Sequence, residues 1–384
     1  MRILHTADWH VGKTLKGRSR LEEQERVLRE IVQVARSHEV DVVLVAGDLY
    51  DTAAPSAEAQ RLVMRALVGL ARDGASVVAI AGNHDHARAL EAYRPLALAA
   101  GITLVGDVRT ADKGGVVELT ARTGERARLA ALPFLSQRYA VTAADLVTQT
   151  PDRHTAEYDQ QLREILSALT AGFGADTVNL VTAHLTVRGG AWGGGEREAQ
   201  SILEYAVPAT IFPVDAHYVA LGHLHRRQRM PAACPVHYSG APLAVDFGEQ
   251  ENQPVVCVVD VTPTTPAKVT DVPITEGRRL RTVTGTVAEL AEMADDVGDA
   301  LLRVRVREPA RAGLRDDVTD LLPNALEVRI DPEFAAPLTV SRPRTGPERH
   351  PSELFAEYLT ENGIADERVQ ALFARLHDDV TGSR

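Results

Sequence analysis

The first part of the chain alternates apolar runs of strand length with segments of helical period. The runs RILHTAD at 2–8 and DVVLVAGD at 41–48 bracket SRLEEQERVLREIVQVARS, in which apolar residues recur at helical intervals. Ser19 and Glu22 have the spacing of a capping box, which predicts where this helix begins. The pattern predicts a strand-helix-strand unit, the element from which parallel sheets are built.

The same alternation continues along the chain. A second helix is expected over 56–73, where Gly74 ends it, and a third helix near 87–100, between the strand candidates SVVAIAGNHD and ITLVG. Later strands are expected in RLAALPF, VNLVTAH, HYVALGH, VHYSG and PVVCVVDV, and the last two are close together without a helix between them. We therefore predict an α/β fold in which mixed sheets are layered between helices.

The pattern changes after residue 263. The segment TPTTPAK is typical of a linker, and RLRTVTGTVAELAEM, DALLRVRVRE and NALEVRI predict a small α/β unit. A connector rich in proline and arginine follows, and the end of the chain predicts two amphipathic helices around Gly363. We therefore expect a large domain over 1–274, a small domain over 275–332, a linker over 333–350 and a helical segment over 351–384.

Composition limits the classes of function. The chain has 384 residues, 45% of them hydrophobic, and a formal net charge of −11. Such an acidic chain is not expected to coat nucleic acid by charge alone, although bound metal ions can offset the local repulsion. Cys234 and Cys257 lack the spacing of a zinc site or a disulfide framework. The sequence shows neither a secretory signal nor an apolar stretch of roughly 18 residues, so we expect a cytoplasmic protein without membrane contact.

Polar side chains of only three types follow five of the predicted strands. Alone, an aspartate at a strand end is usually a helix cap, and a histidine is usually a satisfied core or surface residue. Together, oxygen and imidazole ligands without thiolate suit divalent ions such as Mn²⁺, Fe²⁺ or Zn²⁺. So many ligands exceed what one ion takes but suit two ions that share a carboxylate. The side chains are those of Asp8, His10, Asp48, Asn83, His84, His184, His223 and His225.

Five short motifs carry a resemblance to a known family. DWH, GDLYD, GNHD, TAH and GHLH, in this order, are similar to the motifs of the calcineurin-like metallophosphoesterase superfamily. The wider stretches ILHTADWHVGK, GDLYDTAAP, ALGHLHRRQ and YSGAPL resemble the SbcD family, the nuclease subunits of bacterial SbcC–SbcD DNA repair complexes, over roughly residues 1–275. Arg227 stands where related proteins often have proline, and this departure affects no predicted ligand.

The resemblance implies two divalent metal ions, Mn²⁺ first among them, and a role for each motif residue. One ion would be held by Asp8, His10, Asp48 and His225. The other ion would be held by Asp48, Asn83, His184 and His223. His84 would be the catalytic residue, contacting the scissile phosphate and assisting the leaving group. The implied reaction is metal-assisted hydrolysis of a phosphodiester without a covalent intermediate.

The resemblance also implies a biological setting. Members of the SbcD family are Mn²⁺-dependent double-strand exonucleases and single-strand or hairpin endonucleases that act on DNA with an SbcC-type ABC ATPase carrying a coiled coil. We therefore expect a nuclease domain over 1–274, a DNA capping domain over 275–332 and an ATPase-docking segment over 351–384. A homodimer within a heterotetramer and an association with the nucleoid are implied as well. The helices predicted at 56–73 and 87–100 are candidates for the dimer contact, although amphipathic helices more often pack within their own chain.

Two other functions remain open. A stand-alone phosphatase or small-molecule phosphodiesterase of the same superfamily would use the same ligands. Phosphoprotein phosphatases of the superfamily typically have arginine after the second aspartate of the GD motif, whereas here Asp51 is followed by Thr52, which favours a diester substrate. A catalytically inactive binding module would show a gap in the ligand set, and the sequence shows none.

Two secondary features each allow two interpretations. The glycine-rich stretch 186–198 is either a mobile connector or a wall of the site in which Trp192 stacks on a base. The basic cluster of Arg226, Arg227 and Arg229 is either a solvated surface or a set of phosphate contacts.

Overall fold

The structure of the protein is a computed structural model that describes residues 1–136, 151–196, 206–334 and 351–361 together with residues 369, 370, 372 and 373. The α-helices in these ranges are α1 (Leu21–Ser37), α2 (Ala57–Ala71), α3 (Ala87–Ala99), α4 (Pro151–Thr170), α5 (Val287–Glu292), α6 (Leu314–Leu321) and α7 (Pro351–Glu361). The strands are β1 (Arg2–Thr6), β2 (Thr14–Leu15), β3 (Arg18–Ser19), β4 (Val42–Val45), β5 (Ser76–Ile80), β6 (Ile102–Val105), β7 (Val116–Thr120), β8 (Arg126–Leu132), β9 (Val178–His184), β10 (Thr186–Val187), β11 (Ala206–Val207), β12 (Tyr218–Gly222), β13 (Gln228–Met230), β14 (Val236–Tyr238), β15 (Val255–Thr262), β16 (Thr265–Pro273), β17 (Leu280–Gly285), β18 (Leu301–Val306) and β19 (Ala325–Ile330).

The first sheet has six strands in the order β16-β15-β1-β4-β5-β6. Strands β1, β4, β5 and β6 are parallel to one another. Strand β15 pairs antiparallel with β1, and β16 pairs antiparallel with β15. In β4, Val43 and Val45 pack in the core beneath α1, α2 and α3, whereas Val42 and Leu44 face the second sheet. Because both faces are buried, the strand reads as a continuous apolar run in the sequence.

The second sheet also has six strands, in the order β13-β14-β12-β9-β8-β7, with β14, β12, β9 and β8 parallel. Its outer face packs on α4 through residues such as Leu162 and Leu166. Its inner face contributes Leu180 and Tyr218 to a core shared with the first sheet. The order of layers is therefore helices, sheet, sheet and helix, and the predicted α/β fold of mixed sheets between helices is confirmed.

A small α/β unit follows strand β16 of the first sheet in the chain. Strands β17, β18 and β19 form a parallel sheet whose connections are α5 and α6. Leu290 of α5 and Val318 of α6 are fully buried against Val304 of β18. Helix α5 begins with a capping box: the Thr286 side chain accepts from the backbone N–H of Glu289, and the Glu289 side chain accepts from the backbone N–H of Thr286. These elements lie where the sequence predicts a small unit.

The chain divides into two compact units, Met1–Asp331 and Pro332–Arg384. The small α/β unit shares the first of these with the two large sheets, and the four-domain division remains a prediction. In the second unit, α7 lies where the first terminal helix is predicted, and the ring of Phe355 stacks on that of Phe373 with centroids 4.1 Å apart. The connector over 335–350 and most of the second terminal helix lie outside the described residues.

Two local predictions are wrong. Arg20, not Ser19, is the residue before the first turn of α1, and it makes no side-chain cap. Ser19 pairs with Thr14 in the short β2-β3 hairpin, and its hydroxyl accepts from the backbone N–H of Leu21 at 3.4 Å. The segment TPTTPAK is not a linker: it contains the turn between β15 and β16, whose strands pair antiparallel from Thr262 and Thr265 onward. No helix in the described ranges combines the length and the apolar character that a membrane crossing needs.

Candidate metal centre

The predicted site residues lie at the carboxyl ends of five parallel strands, with His184 as the last residue of β9 and the others in the loops that follow the strands. The first sheet supplies the loops after β1, β4 and β5, and the second sheet supplies those after β9 and β12. The backbone N–H of Asp8 donates to the carbonyl of Gly47 at 3.0 Å, and that of His10 donates to the carbonyl of Asp48 at 3.0 Å. Because parallel strands end at one edge of a sheet, two facing sheets bring all five loops together.

One group of predicted ligands gathers around His10. The Nε2 atom of His10 lies 3.0 Å from Nε2 of His225 and 3.5 Å from Oδ2 of Asp48. A carboxylate oxygen of Asp8 and ring nitrogens of His10 and His225 all lie within 4.8 Å of one another. This spacing is that of atoms able to coordinate one ion.

A second group gathers around the amide of Asn83. Its Oδ1 atom lies 2.8 Å from Nε2 of His184 and 2.8 Å from Nδ1 of His223. The Oδ2 atom of Asp48 lies 3.5 Å from Nε2 of His184. The same carboxylate oxygen therefore stands at 3.5 Å from an imidazole of each group, the position that a bridging ligand needs.

His84 lies at the border of the first group. Its backbone N–H donates to Oδ1 of Asp48 at 2.8 Å, and its Nδ1 donates to the backbone carbonyl of Asp51 at 2.7 Å. Its ring meets that of His10 edge to face with centroids 4.6 Å apart. The donation from Nδ1 fixes the orientation of the ring and assigns the remaining chemistry to Nε2.

The site fits a divalent cation. Oδ2 of Asp8 and Nδ1 of His10 are buried and have no hydrogen-bond partner among the described residues. An unpartnered carboxylate oxygen in the protein interior is costly, and a cation removes that cost. Imidazole nitrogen together with carboxylate and amide oxygen is a ligand set for borderline or hard divalent ions.

Burial and mutual charge shift the pKa values of the site residues. Burial raises the pKa of Asp8 to about 6 and lowers that of His223 to about 3. Burial also acts to lower the pKa of His184, but the carboxylate of Asp48 outweighs it and raises the pKa to about 9. In the same way, the carboxylate of Glu249 overcomes burial and raises the pKa of His225 to about 10. Protons and cations therefore compete for the same imidazoles.

Close backbone approach around the site requires glycine at two positions. A Cβ atom on Gly82 would lie 2.1 Å from Oδ1 of Asp48, and one on Gly222 would lie 2.0 Å from the carbonyl oxygen of Ala46. The second contact is made across the two sheets, next to the donation from Nδ1 of His184 to the same carbonyl at 2.8 Å. These glycines allow the two sets of loops to share one small volume.

Three residues that contact the site histidines are not among the predicted site residues, although Glu196 lies in the glycine-rich stretch and Phe134 at the end of the predicted strand RLAALPF. Glu249 contacts His225 through its carboxylate at 2.6 Å, and Glu196 accepts from the His225 backbone N–H at 2.9 Å. The ring of Phe134 stacks against His223 with centroids 6.4 Å apart. The sequence does not single out these three residues as individuals, because the role of each depends on a contact with a histidine distant in sequence.

The glycine-rich stretch and the basic cluster both lie near the site, but not every member faces it. Trp192 lies beside His223 with ring centroids 6.3 Å apart, and residues 197 and 198 of the glycine-rich stretch lie outside the described residues. Arg227 is not a surface residue of the basic cluster: its guanidinium donates to Asp271 at 2.8 Å and to the carbonyl of Tyr238 at 3.2 Å. Only Arg226 and Arg229 of that cluster are exposed.

Comparison with protein families identifies the class of the chain. The model of the calcineurin-like phosphoesterase family matches residues 1–227, which include all eight predicted site residues. The chain belongs to the calcineurin-like phosphoesterase family. The prediction that it is a metal-dependent phosphodiester hydrolase is confirmed at this level.

Curated relatives narrow the comparison to one group of that family. The SbcD subunit of the nuclease SbcCD from Bacillus subtilis is 38% identical over 284 residues, 73% of this chain and 71% of the relative. The SbcD subunits of Rhodobacter capsulatus and Escherichia coli K12 are 38% and 33% identical, and each alignment covers 65% of this chain. These two alignments span 64% and 62% of the relatives, slightly under two thirds of their length. The predicted resemblance to the SbcD family is confirmed.

Proposed function

We propose that the protein is a DNA nuclease that hydrolyses phosphodiesters with two divalent metal ions, Mn²⁺ in particular. The observation that carries this proposal is the carboxylate of Asp48, which stands at 3.5 Å from an imidazole of each ligand group. Relatives named as nuclease subunits support DNA as the substrate. We further propose double-strand exonuclease activity and single-strand or hairpin endonuclease activity, as in the family that the sequence resembles.

The two ligand groups would divide the ions between them. The first ion would be held by Asp8, His10, Asp48 and His225. The second would be held by Asp48, Asn83, His184 and His223. The chemistry that a bound pair of divalent ions supplies is compensation of charge on the phosphate and activation of water. A neutral amide at Asn83, in place of a third carboxylate, limits the negative charge that faces the phosphate.

In this proposal His84 acts on the leaving group. The carbonyl of Asp51 accepts from Nδ1 at 2.7 Å, so the ring is held while Nε2 carries the proton that is transferred. The backbone N–H of His84 is held by Oδ1 of Asp48 at 2.8 Å, which ties the position of the proton donor to the shared ligand. A proton donor fixed in this way contributes typically about 10²- to 10⁴-fold to the rate.

We also propose partners for the chain. Val68 of α2 and Leu96 and Leu98 of α3 are large apolar side chains at the surface, exposed by 46%, 75% and 61%, as expected for a homodimer contact. Leu354 and Tyr358 of α7 are exposed as well, as expected for helices that dock on the coiled coil of an SbcC-type ATPase. The names of the relatives support the second partnership, since they are subunits of SbcCD.

The proposal is tested by incubating the purified protein with end-labelled linear duplex and hairpin DNA in Mn²⁺, in Mg²⁺ and in excess chelator. We expect shortening of the duplex and opening of the hairpin in Mn²⁺ and no cleavage in chelator. A chromogenic phosphomonoester and phosphodiester are assayed in parallel. Hydrolysis of the monoester without cleavage of either DNA would instead support the phosphatase of the same superfamily.

A further inference from the structure

One buried carboxylate beside the site has no place in the proposed ligand set. Glu249 is 1% exposed. Its Oε1 atom lies 2.6 Å from Nδ1 of His225, and its Oε2 atom accepts from the backbone N–H of Val245 at 2.8 Å. A buried carboxylate is strongly unfavourable unless it is paired. The side chain that Glu249 contacts in the interior is the imidazole of His225, whose other nitrogen, Nε2, lies 3.0 Å from Nε2 of His10 in the candidate metal centre.

Local hydrogen bonds and packing contacts hold the backbone around Glu249. Glu249 ends the short 3-10 helix Phe247–Glu249, before which Asp246 accepts from the N–H of Gly248 at 2.9 Å. The Phe247 ring is buried against Leu280 and Leu301 of the small α/β unit. Because the turn restricts the position of the Glu249 carboxylate, this carboxylate can fix the orientation of the His225 ring that it contacts.

The other side of His225 is held independently. Oε1 of Glu196 accepts from the backbone N–H of His225 at 2.9 Å and from that of Gly193 at 2.7 Å. Gly195 lies so close to Glu249 that a Cβ atom there would stand 1.9 Å from Oε1. The backbone of His225 is therefore fixed by one glutamate and its ring by another.

The imidazoles of the site differ in what holds their second nitrogen. For His184 this acceptor is the carbonyl of Ala46 at 2.8 Å, whereas Nδ1 of His10 makes no hydrogen bond among the described residues and lies 3.8 Å from Oδ1 of Asp51, beyond hydrogen-bond distance. For His225 the hydrogen-bond acceptor is a carboxylate, Oε1 of Glu249. A carboxylate that accepts from the far nitrogen fixes the tautomer, so that Nε2 is the ligand atom, and makes that nitrogen a stronger donor to a cation.

We propose that Glu249 is a positioning residue for His225 and that it governs the affinity of the metal position formed by Asp8, His10, Asp48 and His225. The inference rests on the proposed two-metal function and deepens it. In this inference Glu249 supports only the metal position that includes His225. The metal position that includes Asn83 would bind its ion independently of Glu249.

The test is calorimetric titration of the full-length, metal-stripped chain with MnCl₂ alone. In Glu249→Ala we expect one of the two Mn²⁺ ions to bind about 100-fold more weakly and in Glu249→Gln about 10-fold, since loss of such a partner costs roughly 10- to 100-fold in affinity. Glu249→Gln loses less because its amide oxygen still accepts from Nδ1. The matched control is Glu251→Gln, an exposed carboxylate two residues further along, and it binds both ions as the wild type does.

The outcomes separate the inference from the function on which it rests. If the wild-type chain binds fewer than two Mn²⁺ ions, the proposed function fails first. If the wild type binds two and Glu249→Gln binds both with unchanged affinity, the positioning role is refuted. If the Glu249 variants bound both Mn²⁺ ions equally more weakly than the wild type, Glu249 would have a structural role only. The same conclusion would follow if the variants had a lower melting temperature in chelator but an unchanged affinity for Mn²⁺. Should Glu249→Ala not fold, Glu249→Gln decides alone.

Discussion

Several site residues adopt a backbone conformation that L-amino acids rarely take. The φ angles of Asp8, His10 and Asp48 are 55°, 45° and 52°, and that of His223 is 101°. Such conformations cost of order 1–3 kcal/mol each and persist only where surrounding contacts impose them. Here the loops themselves make such contacts, since the N–H of His223 donates to Oδ1 of Asp8 at 2.9 Å. The backbone conformation that places these four side chains in the site therefore lowers the stability of the loops that carry them.

At the scale of single residues, His84→Gln separates binding from chemistry. Glutamine cannot act as a proton donor near neutral pH, so we expect the variant to keep two Mn²⁺ ions and its DNA affinity while turnover falls by about 10²- to 10⁴-fold. Calorimetry and end-labelled DNA measure the two properties separately. The control is His86→Gln, an exposed residue that only accepts from the backbone of Ala89 at the beginning of α3. Loss of metal from His84→Gln would contradict the role proposed for this residue.

At the scale of elements, a strand that is buried on both faces is easier to predict from the sequence than an exposed strand at the edge of a sheet. Strands β4 and β9 are buried at every position, and β4 is an unbroken apolar run in the sequence. Strand β16 has an exposed pattern with threonine, lysine and proline, and it lies at the edge of its sheet, which is why it resembles a linker.

The same contrast holds for the site. The predicted ligands follow strands, so their neighbourhood is implied by the order of elements. Glu249 lies instead in a three-residue helix, 24 positions from the histidine that it contacts. A contact of that kind depends on how the small α/β unit packs, and no local pattern in the sequence encodes it.

One ion-pair network joins α1 to the chain that leads into β17. The buried carboxylate of Glu23 accepts from Arg20 at 2.8 Å, from the Arg278 guanidinium at 2.8 Å and from the Arg278 backbone N–H at 3.0 Å. Burial opposes ionisation, but these donors lower the pKa of Glu23 to about 2. The ionised carboxylate is therefore the form that the fold uses.

We expect Glu23→Gln to lower the free energy of unfolding by about 3 kcal/mol at pH 7, because it leaves buried arginine charge unpaired. Since the folded pKa lies below the ordinary value of 4.5, the stabilisation by Glu23 is complete above pH 4.5 and is lost as the pH falls towards 2. Urea titrations of wild type and variant should therefore converge below pH 4.5. Exposed Glu22→Gln is the control, and an equal loss in that variant would rule out a specific network.

At the scale of the whole molecule, the exposed side chains of α2 and α3 test the proposed homodimer. We expect Leu96→Asp to weaken self-association at least tenfold, because a charge would be buried at an apolar contact. Sedimentation velocity over a concentration series measures the change. Val214→Asp introduces the same charge at a side chain that is 77% exposed elsewhere, and it should leave self-association unchanged. An unaltered Leu96→Asp protein would remove α3 from the contact.

The terminal unit tests the proposed ATPase contact. A chain ending at residue 350 lacks α7 and the residues after it but keeps the whole unit Met1–Asp331. We expect it to lose co-purification with an SbcC-type ATPase while it retains folding and cleavage of DNA in Mn²⁺. Retained association would contradict docking through these helices, and an unfolded product would show that they belong to the core of the chain.

The two sheets share the candidate metal centre almost equally. Asp8, His10, Asp48 and Asn83 follow strands of the first sheet, and His184, His223 and His225 come from the second. A cation bound between them is bound only while the sheets are docked, so its binding free energy is added to that of folding. At a hundredfold excess over Kd this adds about 2.7 kcal/mol. If the proposed divalent ions are bound there, the temperature at which the protein unfolds would rise with the concentration of the free metal ion, and depletion of the metal would shorten the lifetime of the protein as well as remove its activity.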